Sequence, residues 1–136
     1  MEIINLRTSK REEMLEITDR VQEIVKNSKV KSGLCVVYIP HTTASITINE
    51  NADPSVKKDI INYLSKLIPE GANYSHLEGN ADAHIKASIM GQSRTIIVEN
   101  GRLILGTWQG IFFVEFDGPR TREVFVEIIP KIPQDV

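Results

Sequence analysis

Residues 94–105 read RTIIVENGRLIL, with an Asn100-Gly101 step at their centre that marks a hairpin. A two-residue hairpin turn whose twist matches its strands needs positive φ at both central positions, and Asn-Gly meets that need best. The flanks RTIIVE (94–99) and RLIL (102–105) are rich in Ile, Val and Leu, so both read as strands of one hairpin. Working outward, GIFFVEF (110–116) is a further strand, Asp117-Gly118-Pro119 a turn, and TREVFVEII (121–129) an alternating strand. Links this short favour antiparallel pairing.

The N-terminal side adds IINLRT (3–8), GLCVVYIP (33–40) and ASITIN (44–49) as strands. Ile17, Val21, Ile24 and Val25 share one helix face within Glu12–Ser28, with Thr18 as a cap if the helix begins there. Asp53-Pro54 opens a second helix, because Asp accepts from free N–H groups and Pro sacrifices no needed donor at the first position. Asp82 is expected to cap a third, with Ile85 and Ile89 facing inward and Gly91 closing it. The tail KIPQDV (131–136) is expected to be loose. About seven strands and three helices imply an α+β fold: a β-sandwich or barrel-like, mostly antiparallel sheet in one domain spanning residues 1–136.

Composition narrows the function. Sixteen basic and eighteen acidic residues give a net charge of −2, which argues against a general nucleic-acid binder. No segment approaches the ~20 apolar residues of a membrane span, and MEIINLRTSKREE lacks the apolar stretch of a signal peptide. The lone Cys35 lies in the apolar run LCVVYI and reads as a core residue, so no disulfide forms within one chain. The expected setting is the cytoplasm.

All three histidines fall in polar joints. His41 follows a buried strand, His76 lies in a loop, and His84 lies in the first turn of the Asp82 helix. Three neutral imidazoles and a water would make an open zinc-type site, able to lower the water's pKa or polarise a substrate oxygen. The spacing of His76 and His84 is not a standard ligand motif, and three surface or capping histidines are the alternative. Glu50 and Glu78 can serve as bases or orient a histidine, or simply solvate loops. GTWQG (106–110) places the only Trp between two glycines on an expected strand, where Gly marks a bulge or a close approach. Thr107 and Gln109 then point one way, Gln109 as a candidate ligand contact, and Trp108 the other way as a core or interface anchor. Arg120 and Arg122 sit two apart and suit a phosphate, or pair with Glu115 and Asp117. Walker, dinucleotide and nucleophile-elbow motifs are absent.

HTTASITINENADP (41–54), HLEGNADAHIKASIMG (76–91) and GRLILGTWQGIFFVEFDGPRTR (101–122), in that order, resemble the YjbQ-like family, often labelled secondary thiamine-phosphate synthase. The resemblance is strongest from Val36 to Val126. It implies a β-sandwich with helices, a homotrimer, and a pocket near the subunit interface that gathers histidines and acids and holds a divalent metal, zinc by the ligand types. The matching positions are His41, Glu50, Asn51, His76, His84, Thr107, Gln109, Glu115 and Arg120. The implied activity is weak joining of hydroxymethylpyrimidine diphosphate to thiazole phosphate with loss of pyrophosphate. On that reading His41, His76 and His84 hold metal, while Glu50, His84, Gln109 and Arg120 act in catalysis. Asn51, Thr107, Glu115 and Arg122 bind a small phosphorylated substrate. A metal-dependent hydrolase of another small molecule and a non-enzymatic trimeric binding protein are the alternatives.

Overall fold

The computed structural model describes residues 1–132; most of the expected loose tail lies outside the described residues. Its elements are β1 (Glu2–Arg7), β2 (Glu13–Glu16), α1 (Thr18–Ser28), β3 (Gly33–Tyr38), β4 (Ala44–Glu50) and α2 (Pro54–Leu67). Then follow α3 (Ala81–Met90), β5 (Ser93–Glu99), β6 (Arg102–Leu103), β7 (Gln109–Glu115) and β8 (Thr121–Pro130). The strands form two antiparallel sheets, one ordered β1-β8-β3-β5-β6 and the other β2-β7-β4. The expected α+β sandwich with three helices is the fold found.

The β5–β6 hairpin turns on Asn100 (φ 53°) and Gly101 (φ 73°), both in the left-handed region that the two-residue turn demands. Val98 pairs with Leu103 and Glu99 with Arg102. Strand β6 is shorter than expected, stopping at Leu103 before the chain crosses to the other sheet.

Strand β7 explains the unbroken apolar run GIFFVEF. It is the centre of the three-stranded sheet and is covered on both faces. Ile111 and Phe113 point between the sheets, into a core with Val21, Val37, Ile46 and Val124. Phe112, Val114 and Phe116 point outward, where Ala83 and Ala87 of α3 and Ile60, Ile61 and Leu64 of α2 cover them. The layers are therefore five-stranded sheet, three-stranded sheet, and a helix pair. Each fully buried Phe here contributes roughly 1.5–3 kcal/mol relative to exposure.

Three readings are corrected. Residues 13–16 are strand β2, paired with β7, so the first helix takes the later of its two expected starts, Thr18, with Ile17 rather than Thr18 in the cap position. EMLE reads polar-apolar-apolar-polar, with no two-residue period, and becomes a strand because β7 offers it an unpaired edge. Asp82 does not cap α3; Asn80 takes that place, and the Asp82 side chain is buried inside the first turn. Ile85 and Ile89 of α3 face outward, because the small Ala83 and Ala87 are what let the helix lie close on β7.

Candidate functional site

The joint between β3 and β4 places His41 at one end of the sandwich. Its Nε2 accepts the backbone N–H of Glu123 on β8 at 2.9 Å. Gln92 braces the same joint, donating from Nε2 to the carbonyls of Ala44 (3.0 Å) and His41 (3.3 Å). His41, Pro40, Thr42, His84, Ser88 and Gln92 line an open cleft of about 490 Å³, with Tyr38 at its rim. Burial holds the His41 pKa below the ordinary histidine value, and the positive charge of Arg122 pushes the same way. His41 is therefore neutral at pH 7.

Across the cleft, the loop before α3 brings His76 against His84. Their rings meet edge-on, with centroids 5.3 Å apart. Two imidazoles this close fit two corners of a tetrahedral metal site. His41 shares a cleft with His84, yet among the described residues no three His, Cys, Asp or Glu side chains converge into a metal-binding group.

Behind His41 lies a buried ion pair. Arg122 donates from Nε to Glu115 Oε1 at 2.9 Å and from Nη2 to Glu115 Oε2, and Nη2 also donates to Thr43 Oγ1 at 2.8 Å. Thr8 Oγ1 donates to Glu115 Oε1 at 2.8 Å, and the Asp117 N–H donates to Oε2 at 3.1 Å. Both charged groups are consumed by protein partners, so they set the field and shape of the cleft wall rather than meeting solvent. Arg120 is exposed and turned onto Asp117, with Nη2 2.9 Å from Oδ2. Asn80 donates to the same Asp117 oxygen at 2.8 Å.

The remaining sequence-derived residues gather elsewhere. Glu50 ends β4 opposite Gln109; its Oε2 accepts from the Asp53 N–H at 3.2 Å. Asn51 donates from Nδ2 to Glu16 Oε2 (2.9 Å) and from its backbone to the Trp108 carbonyl (2.9 Å). Residues 106–108 form a turn rather than a strand, held by the Gly106 N–H donating to Gln109 Oε1 at 2.7 Å. Thr107 is exposed, and Trp108 keeps 63% of its surface in solvent, so it is not a core anchor. This second cluster sits at the Glu50 end of β4, whereas the histidines sit at the Ala44 end. Six residue steps at ~3.3 Å separate the two ends of β4, so the clusters lie about 20 Å apart. They do not form one site within one chain.

Sequence reasoning missed Glu16, which joins Asn51 to Thr18 by accepting from both. The one local signal was Gly110, the closing glycine of GTWQG: a Cβ there would lie 2.5 Å from Glu16 Oε2. It also missed Gln92.

A protein-family comparison matches residues 2–131 to the model described as UPF0047 protein YjbQ-like. The chain belongs to the YjbQ-like UPF0047 family. It is 63% identical over 124 residues to the UPF0047 protein MJ1081 of Methanocaldococcus jannaschii, covering 91% of this chain and 90% of that one. It is 50% identical over 130 residues to the UPF0047 protein YugU of Bacillus subtilis, covering 95% and 98%. A crystal structure of an uncharacterised YjbQ/UPF0047 protein from Clostridium acetobutylicum superposes with a TM-score of 0.94 at 56% identity, covering 95% of this chain and all of that one. A YbjQ-like protein of unknown function from Sulfolobus solfataricus gives 0.92 at 36% identity, with 96% of each chain covered. No helix among the described residues is long and apolar enough to cross a membrane.

Proposed function

We propose that this UPF0047 protein acts as a homotrimer in a reducing, cytoplasmic setting. Its histidine cleft becomes a complete site only where a second copy supplies the Glu50–Asn51–Gln109 cluster. The observation that carries this reading is the ~20 Å separation of two polar clusters along β4. Two further features support it. The outer face of the five-stranded sheet is uncovered and carries apolar pairs across neighbouring strands, Phe125 with Ile3 and Tyr38, and Leu34 with Ile97 and Ile129, interrupted by Thr95, Glu123 and Glu127. Apolar pairs set among polar residues are what an interface between copies presents. That face also meets the cleft, since Tyr38 belongs to both and packs against Phe125 at 6.4 Å between centroids. A cyclic trimer joins two different patches at each contact, which is the arrangement two half-sites need.

The substrate class is a small phosphorylated molecule, and the reaction is transfer with loss of pyrophosphate, as in thiamine-phosphate synthesis. His76 and His84 would hold a divalent metal such as zinc. That ion would supply positive charge to the departing pyrophosphate. His84 stays on the outward side of α3, held there by the packing of Ala83 and Ala87. The carboxylates of Glu50 and Glu16 would steady the cationic pyrimidine methylene left behind, and Gln109 and Thr107 would orient the ring. Arg120 would reach the thiazole phosphate after leaving Asp117.

The test is metal content together with pyrophosphate release from hydroxymethylpyrimidine diphosphate and thiazole phosphate. The expected result is metal near one per chain and pyrophosphate release, both lost in His84→Ala with the fold kept. Metal without pyrophosphate release points instead to hydrolysis of another substrate. Neither metal nor release, with the oligomer intact, overturns the enzyme reading in favour of a binding module.

A further inference from the structure

His41 is constrained more tightly than the other two histidines. A backbone N–H can only donate, so the Nε2 that receives Glu123 at 2.9 Å must present its lone pair. A neutral imidazole with a lone pair on Nε2 carries its proton on Nδ1. Nδ1 has no hydrogen-bond partner among the described residues and is not among their buried unpartnered atoms. It is thus reachable from the cleft that His41 lines.

We infer that His41 is a hydrogen-bond donor to an anionic oxygen of the ligand, through Nδ1–H, and not a metal ligand. Metal ligation needs a free lone pair, and His41 has none: one nitrogen accepts from β8 and the other carries a proton. Ligation would require breaking the Glu123 bond or forming an imidazolate. The surroundings favour an anionic oxygen. The Arg122 guanidinium gives its hydrogen bonds to Glu115 and Thr43 and reaches His41 only as the largest single charge acting on it, while Thr42 lines the cleft beside the ring. A phosphoryl oxygen can accept from Nδ1–H and from the Thr42 hydroxyl together. The assignment rests on the geometry of the β3–β4 joint; it rests on the proposed function only for the choice of pyrophosphate as probe.

The test separates the two nitrogens. In His41→Gln, the side-chain oxygen can still accept from Glu123, but the donor facing the cleft is lost. In His41→Asn, the amide nitrogen stands near the position of Nδ1 and keeps a donor there. Pyrophosphate and zinc binding would be followed by calorimetry, and the His41 tautomer by nitrogen-15 NMR of the unaltered protein. The expected result is the Nδ1–H tautomer, unchanged by zinc. His41→Gln is expected to retain zinc affinity and to weaken pyrophosphate about tenfold or more, with part of that loss recovered in His41→Asn. A loss of zinc affinity in His41→Gln equal to that in His84→Ala would overturn the inference. So would a proton on Nε2. Failure of the unaltered protein to bind pyrophosphate would overturn the assignment to an anion. An assay showing no turnover, with these binding results intact, would instead count against the proposed reaction alone.

Discussion

Arg122 and Glu115 form a buried ion pair that crosses the sandwich, joining β8 of the five-stranded sheet to β7 of the three-stranded one. Every oxygen of Glu115 has a donor: Thr8 and the Arg122 Nε on Oε1, and the Asp117 N–H with Arg122 Nη2 on Oε2. Breaking such a pair leaves one charge buried alone. Arg122→Ala is therefore expected to cost about 3–5 kcal/mol in urea unfolding. The double change Arg122→Met with Glu115→Leu should recover most of that loss, because no uncompensated charge remains. A double variant as unstable as the single one would show that the pair itself, rather than the orphaned charge, matters.

Gly110 lets Glu16 and Asn51 meet. An added Cβ would stand 2.5 Å from Glu16 Oε2 and 2.9 Å from the Asn51 Cβ. The carboxylate tip can move, but Asn51 is tied by its backbone to Trp108. Gly110→Ala is expected to lower stability by about 1–3 kcal/mol and to separate Asn51 from Glu16. The measurement is a melting curve paired with the chemical shift of the Asn51 side-chain amide. An unchanged shift would mean that the strand absorbs the methyl group elsewhere.

Much of this fold was legible because its signals are local. Asn100-Gly101 carries its own turn, Asp53-Pro54 its own cap, and β7 its double-sided burial as an uninterrupted apolar run. What was not legible depends on pairing at a distance. EMLE (13–16) becomes a strand only because β7 has an edge to receive it, so Glu16 was invisible as a partner of Asn51. Asp82 looked like a cap because Asp often is one; its buried position is set by Arg11 and Lys86, which reach it from outside its own turn. The candidate residues were legible one by one. Their division into two ends of β4 could not be read from order along the chain, nor could the Glu123 contact that fixes the His41 tautomer.

Lys86 is almost wholly buried, with Nζ 3.0 Å from Asp82 and 3.4 Å from Glu12. Burial alone would raise the Asp82 pKa, but the hydrogen bonds from Arg11 and Lys86 outweigh it and hold the carboxyl below its ordinary value. Removing the carboxylate strands the ammonium beside its weaker partner. Asp82→Ala is expected to destabilise by about 3–5 kcal/mol, whereas His84→Ala on the outward side of α3 should stay within about 0.5 kcal/mol. Urea denaturation of the two variants side by side decides this, and equal losses would contradict the assignment of Lys86 as a buried charge.

Cys35 is fully buried, and desolvation raises its thiol pKa to about 11. Native protein is expected to resist thiol reagents at pH 8 and to react only on unfolding. The unfolded thiol ionises near pH ~8.5, while the folded one keeps its proton until about 11. Unfolding therefore releases a proton between these values, and stability should fall as pH rises through that window. Cys35→Ala should remove that part of the alkaline slope. A slope unchanged by the substitution would assign it to other groups.

In the proposed trimer, the histidine cleft of one copy faces the Trp108 turn of the next. A chain carrying both Thr42→Cys and Trp108→Cys, treated with a short bismaleimide, tests it directly, since Cys35 is buried and gives no background. The expected products are covalent dimers and trimers, with none from either single variant. Cross-linking confined to single chains, or none at all in a preparation that sediments as a trimer, would contradict the shared site.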